Sequence, residues 1–309
     1  MATVAERPVE VRPDPADAGL ESQGKKPGTR LLNLTFVVLV PGAGVILAIA
    51  TLLMGLVQPF HVGMLVAGWI LTGLGITVGY HRLATHRSFE TNRVVKWVLF
   101  VLGSMAIEGP VTEWAANHLK HHSYTDKEND PHSPNDGFWF AHIGWLLPAT
   151  EVETKKYAPF LLRDPVAMFV SNTFVLWVTL SYVIPFVIGG LASWSWEGAW
   201  VGLIWGGLLR QFAVQHVTFA VNSVCHRFGS RPFRTGDLST NNWVVGVLGH
   251  GEGWHNNHHA FPTSAFHGLR WWEFDLSAYV IRALAVLRLA WNVKRPTLAQ
   301  MQDRRAVTA

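Results

Sequence analysis

Long uncharged stretches alternate along this chain with shorter polar ones. From Leu31 through Tyr80 there are 50 consecutive residues without Asp, Glu, Lys or Arg, and Pro165 through Trp196 add 32 more. As one straight helix the first run would measure about 75 Å, more than twice the roughly 30 Å hydrocarbon layer of a bilayer. It must fold back, and Gln58-Pro59-Phe60-His61 is the predicted turn. The expected spans cover about 33–56, 62–80, 167–190 and 198–222, the first with a kink at Pro41. Residues 97–107 are apolar but too few to cross, and the amphipathic stretch 276–294 carries Arg282, Arg288 and Lys294, so both are read as helices lying in the membrane interface. Residues 1–30 mix Pro, Glu, Arg, Asp and Gly with neither apolar periodicity nor a signal-peptide pattern; they are expected to be a disordered cytosolic tail. Residues 31–295 then form one membrane domain, and 296–309 a second cytosolic tail.

Composition sharpens this picture. Charged residues make up only 15% of the chain against roughly 25% in soluble proteins, which excludes a solvated, disordered molecule. The single cysteine, Cys225, excludes a disulfide framework and cysteine-held zinc or iron–sulfur clusters. The net charge of +4 comes with no basic cluster interleaved with aromatics, so no nucleic-acid partner is expected. Neither presumed outer loop, 57–61 or 190–197, holds a Lys or Arg, which places both termini in the cytoplasm of a bacterial inner membrane. Arg210, inside the fourth apolar run, must face protein and serve as an interhelical hydrogen-bond donor.

Fifteen histidines are an unusual share, and nine are grouped: HRLATH (His81, His86), HLKHH (His118, His121, His122), HNNHH (His255, His258, His259) and His226. On a helix, positions i, i+3 and i+4 share one face, so each HxxHH sets three imidazoles on one stripe. His86 lies five residues past His81, well round an α-helix, so the chain is expected to bend between them. Asn222 stands four residues before His226. A helix from Ala199 to His226 would be about 40 Å long, which lifts Asn222 and His226 to the inner membrane surface beside His81. Nine neutral nitrogen ligands exceed what one ion accepts, so two metals are expected. Imidazole alone does not choose among zinc, copper, nickel and iron. The remaining histidines, His61, His132, His142, His216, His250 and His267, are read as ordinary hydrogen-bonded residues, and Cys225 as inert packing. Glu113 and Asp130 suit either solvated surface or a role orienting imidazoles.

HRLATHR, EWAANHLKHHSYTDKENDPHSPNDGFWFAHIGWLL, NSVCH and GHGEGWHNNHHAFP, in this order and relation to the spans, resemble the integral-membrane acyl-CoA (stearoyl-type, Δ9) fatty acid desaturases. The resemblance implies an all-α membrane protein, with four transmembrane helices under a cytosolic helical cap that holds a dinuclear iron site (two Fe2+). By residue match, His81, His86, His118, His121, His122, His226, His255, His258 and His259 are implied ligands, with Asn222 holding one iron through water. Trp114 matches a residue beside the bend of the substrate chain, and Trp69 and Leu65 match positions near the closed end of its tunnel. The implied activity is O2-dependent insertion of a cis double bond, at carbons 9 and 10, into a saturated fatty acyl chain.

GWLL is followed by Pro148-Ala149-Thr150 and position 116 is Ala116, where animal members carry basic residues. A coenzyme A, carrier-protein or lipid-linked substrate therefore all stay open. No haem, flavin or iron–sulfur motif is present, so electrons are expected from a separate donor such as a ferredoxin or a flavin reductase. The rival readings are a membrane di-iron fatty acid or alkane hydroxylase and, outside enzymes, a metal transporter. Transporters place ligands near the bilayer middle, whereas these clusters fall at the inner ends of spans.

Overall fold

The computed structural model describes residues 27–148 and 153–306. Residues 1–26 of the expected tail, and Ala149 and Thr150, lie outside the described residues. The helices that organise the molecule are α1 (Arg30–Leu53), α2 (Pro59–Thr85), α3 (Arg93–Ser104), α4 (Val111–Tyr124), α5 (Pro165–Asn172), α6 (Phe174–Ser193), α7 (196–223), α8 (Trp243–Leu248), α9 (His255–Ala260), α10 (Leu276–Val286) and α11 (Leu298–Asp303). Among the described residues the sheet content is one antiparallel ribbon, β1 (Glu90–Thr91) with β2 (Ala290–Trp291).

Three helices, α1, α2 and α6, are long and apolar enough to cross a membrane. The turn between α1 and α2 comes earlier than the sequence suggested. α1 stops at Leu53, Gly55 adopts φ +72°, and Pro59 opens α2. Proline fits the first helical turn because its missing N–H would have no partner there. The imidazole of His61 then reaches back to accept the Gln58 N–H at 2.9 Å, so Pro59-Phe60-His61 start a helix instead of making a turn. Pro41 likewise begins a helical segment, behind a π-helical stretch at Leu34–Leu39. The third apolar run is also divided: Asp164 caps the separate helix α5, and α6 begins only after a break at Thr173.

α7 runs unbroken from 196 to 223 and packs against α1, α2 and α6. Its polar residues turn inward, as an apolar surrounding requires. Arg210 donates to the Met105 carbonyl at 2.7 Å, to the Gly206 carbonyl at 3.3 Å and to the Ser181 hydroxyl. Gln215 reaches the Ile107 carbonyl at 2.8 Å. The helix expected at 97–107 is α3, capped by Asn92, with Val94, Trp97 and Val98 exposed and Leu99 and Phe100 buried, a one-sided pattern that suits an interface. α10 is shorter than the amphipathic stretch that predicted it, because the chain leaves it for β2. The C-terminal segment is docked: after α11, Arg234 N–H bonds the Arg304 carbonyl at 2.8 Å and Ala306 N–H the Pro232 carbonyl at 2.9 Å.

Candidate metal centre

The end of α2 contradicts the expected bend between His81 and His86. Residues Gly75–Thr85 form a π-helix, in which N–H groups bond five residues back, and His86 N–H meets the His81 carbonyl at 3.0 Å. The wider turn brings residues five apart to one face, so both imidazoles point the same way without a break. Close packing accompanies it: a Cβ on Gly75 would lie 2.2 Å from the Gly103 nitrogen of α3, so only glycine permits this approach.

The nine grouped histidines converge into two buried pockets. One holds His81, His86, His118, His122 and His258; the other holds His121, His226, His255 and His259, and the ligand nitrogens within each lie within 4.8 Å of one another. The two HxxHH motifs interlock. α4 sends His118 and His122 to the first pocket and His121 to the second, while α9 sends His255 and His259 to the second and His258 to the first. Adjacent residues stand about 100° apart round a helix, so one short helix between two pockets can serve both. α9 is too short to be held by propensity. Its two asparagines fix it: Asn256 accepts the Phe233 N–H at 2.9 Å, and Asn257 donates to Glu273 and to the His267 carbonyl, each at 2.8 Å.

Four of the nine rings are oriented by carboxylates at Nδ1: His81 by Glu252 at 2.6 Å, His121 by Asp130 at 3.0 Å, His226 by Asp126 at 3.1 Å and His259 by Asp237 at 2.9 Å. A carboxylate there holds the proton on Nδ1 and turns the Nε2 lone pair inward. Burial, reinforced by neighbouring imidazoles, keeps the pKa values of His118, His121, His122, His255 and His258 well below the usual imidazole value. These rings are therefore neutral at ordinary pH. The Nε2 atoms of His121 and His259 are buried with no protein partner. In the first pocket His122 Nε2 stands 3.0 Å from both His118 Nε2 and His258 Nε2. Converging lone pairs repel unless a cation lies among them. The five-imidazole and four-imidazole donor sets could thus each hold a metal ion.

An apolar cavity opens beside both pockets. It is walled by Ile76 and Thr77 of α2, Trp114 and His118 of α4, and Val214, Val217 and Val221 of α7, and it reaches His81 and His255. Trp114 stacks on His118 with centroids 5.2 Å apart, and its indole N–H donates to Glu108 at 3.2 Å. Burial raises the Glu108 carboxyl to about 8, against the lowering effect of its bonds from Thr218 and Trp114, so it is uncharged at neutral pH. Trp69 and Asn222 also line the cavity. Leu65 does not: one turn before Trp69 on α2, it packs against the cluster of Ala48, Val201, Ile204 and Trp205.

The histidine motifs do not single out Glu252, Asp126, Asp237 or Glu108, and they leave His250 and His267 among the ordinary histidines. His250 lines the cavity against Trp69, and His267 lies 3.2 Å from Glu252. Asp126 and Asp130 follow HLKHH by four and eight residues, and Glu252 precedes HNNHH by three, which was the available signal. Glu113 is exposed on α4. His142 bonds His216 and Ser223, outside both pockets.

A family model described as fatty acid desaturase matches residues 56–291. The chain is 39% identical over 278 residues to the hex-5-enoyl-[acyl-carrier protein] acetylenase of Moorena producens (strain JHB), covering 86% of this chain and 87% of that protein. It is 43% identical to the sn-1 stearoyl-lipid 9-desaturase of Anabaena variabilis over 73% of this chain and 80% of the relative. With the icosanoyl-CoA 5-desaturase of Limnanthes douglasii it shares 42% identity over 81% and 69%. The chain is an oxidoreductase that belongs to the fatty acid desaturase family.

Proposed function

We propose that this protein is an O2-dependent di-iron fatty acyl desaturase that places a cis double bond at carbons 9 and 10 of a saturated chain. The carrying observation is the apolar cavity that ends on two histidine pockets. His81, His86, His118, His122 and His258 would hold one iron, and His121, His226, His255 and His259 the other with Asn222 nearby. Removing hydrogen from unactivated methylenes gives acid–base groups nothing to grip, and the iron pair supplies the redox chemistry for it. Overall, –CH2–CH2–, O2, two electrons and two protons become –CH=CH– and two waters. The residues of the chain position the substrate. The branched side chains of α2 and α7 exclude water, and Trp114, anchored by neutral Glu108 and stacked on His118, fixes where the acyl chain passes the first pocket.

The same reading has α1, α2, α6 and α7 crossing the membrane with the pockets and both termini cytoplasmic. A reporter fused after residue 300 should give a cytoplasmic signal, and an external signal refutes this topology. The headgroup stays unassigned among coenzyme A, carrier protein and lipid, which the names of the relatives divide between them.

Expression in a host with only saturated lipids tests the function. Products that have lost two hydrogens support it, and products that have gained one oxygen would make the protein a hydroxylase. Trp69, twelve residues before His81, sits in the cavity at the place where the methyl end should stop. Trp69→Ala should admit acyl chains longer by at least two carbons without moving the double bond. Gas chromatography of products from saturated feeds of graded length checks this, and an unchanged length profile would clear Trp69 of the role.

A further inference from the structure

We propose that the arginine-rich face formed by Arg231, Arg234, Arg304 and Arg305 around Leu238 docks a small acidic electron-transfer protein, and that electrons enter at the four-histidine pocket; this rests on the di-iron function proposed above. All four arginines are exposed. The pairing of 232–234 with 304–306 brings them together from two distant parts of the chain. Their recorded side-chain hydrogen bonds go to neutral oxygens: Arg231 to the Asp237 carbonyl and Thr235 Oγ1, Arg234 to the Asp303 carbonyl, Arg304 to the Ala260 carbonyl. Among the described residues none of them forms an ion pair with a carboxylate. Their charge is therefore free to meet a partner.

This face lies directly over the second pocket. Asp237, its side chain 12% exposed, bonds His259 Nδ1 at 2.9 Å. Leu238, 42% exposed, offers its N–H to Asp126, which bonds His226 Nδ1 at 3.1 Å. Ala260, held by Arg304, adjoins His259. From the surface, one carboxylate and one imidazole thus lead to the second pocket. In the first pocket the corresponding carboxylate, Glu252, is instead held by buried Arg82 and lines the apolar cavity. Exposed arginines on the same surface as an exposed apolar residue suit a polar, transient docking site. A lipid surface is better suited by α8, whose Trp243, Val244 and Val247 are exposed.

At each encounter the donor is oxidised by one electron and the metal pair reduced by one, twice per double bond formed.

The test uses the full-length, iron-loaded protein in detergent with a photochemically reduced acidic [2Fe–2S] ferredoxin, followed by stopped-flow absorbance. The second-order reduction rate should fall about tenfold in Arg234→Glu/Arg305→Glu at low ionic strength, and the wild-type rate should fall as salt is raised. Dithionite should reduce both proteins alike, and both should hold the same iron. A ferredoxin rate unchanged by the substitutions and by salt would overturn the proposal. So would an unchanged ferredoxin rate with lost binding to phosphatidylglycerol vesicles, which would make the face a lipid contact. Wild-type protein without dithionite-reducible metal would instead sink the di-iron function itself.

Discussion

His255→Ala and His258→Ala, three residues apart on one helix, should each cost the protein a different metal ion. His255 faces His226 at 3.0 Å between Nε2 atoms in the second pocket, and His258 faces His81 at 3.2 Å and His122 at 3.0 Å in the first. Loss of residues that merely orient ligands costs about 10–100-fold in metal affinity or activity, and loss of a ligand more. Product formation should therefore fall more than about a hundredfold in both variants. Iron should drop from two ions to about one per chain, with a different Mössbauer component lost in each variant. His142→Ala should keep both irons, since its partners His216 and Ser223 belong to neither pocket. Equal iron loss from His142→Ala, or one ion per wild-type chain, would refute the two-pocket assignment.

Arg82→Met should destabilise the protein by about 3–5 kcal/mol, the usual cost of stranding buried charges. Arg82 is wholly buried, and its guanidinium joins three segments: Glu252 at 3.1 Å, Asp275 at 3.0 Å and the Ala265 carbonyl at 2.9 Å. Asp275 also caps α10 through the Ala278 N–H at 2.8 Å, and Glu252 orients His81. Removing the cation leaves two carboxylates facing each other beside the first pocket. Arg82→Lys should recover only part of the loss, because an ammonium lacks the planar fork that spans both acids. Thermal unfolding in detergent at fixed metal content measures the effect, and a midpoint equal to wild type would show that the triad is not a structural clamp.

The sequence by itself determined which histidines the fold would bring together. Long uncharged runs permit few alternatives to membrane helices, because burying a charge in lipid is costly. The grouped histidines are legible for a similar reason: four separate motifs at the inner ends of predicted spans have little else to do than meet. Arg210 was also legible, since a cation in an apolar run must find carbonyls on neighbouring helices.

Tertiary structure decided how the grouped histidines are divided. Helical periodicity groups His118, His121 and His122 on one stripe, but rotation of α4 between two pockets sends His121 away from its neighbours. The π-helical end of α2 was hidden because the close packing that accompanies it, of Gly75 against Gly103 on α3, is a contact between distant segments. Leu65 and Trp69 are one α-helical turn apart on the same face, and a local pattern cannot tell how far along α2 the cavity extends. Asp237 lies far from HNNHH in sequence, and only the fold of the 227–242 loop brings its carboxylate to His259. Local sequence sets what each side chain can do; contacts between distant segments, fixed by packing, set which partner it does it with.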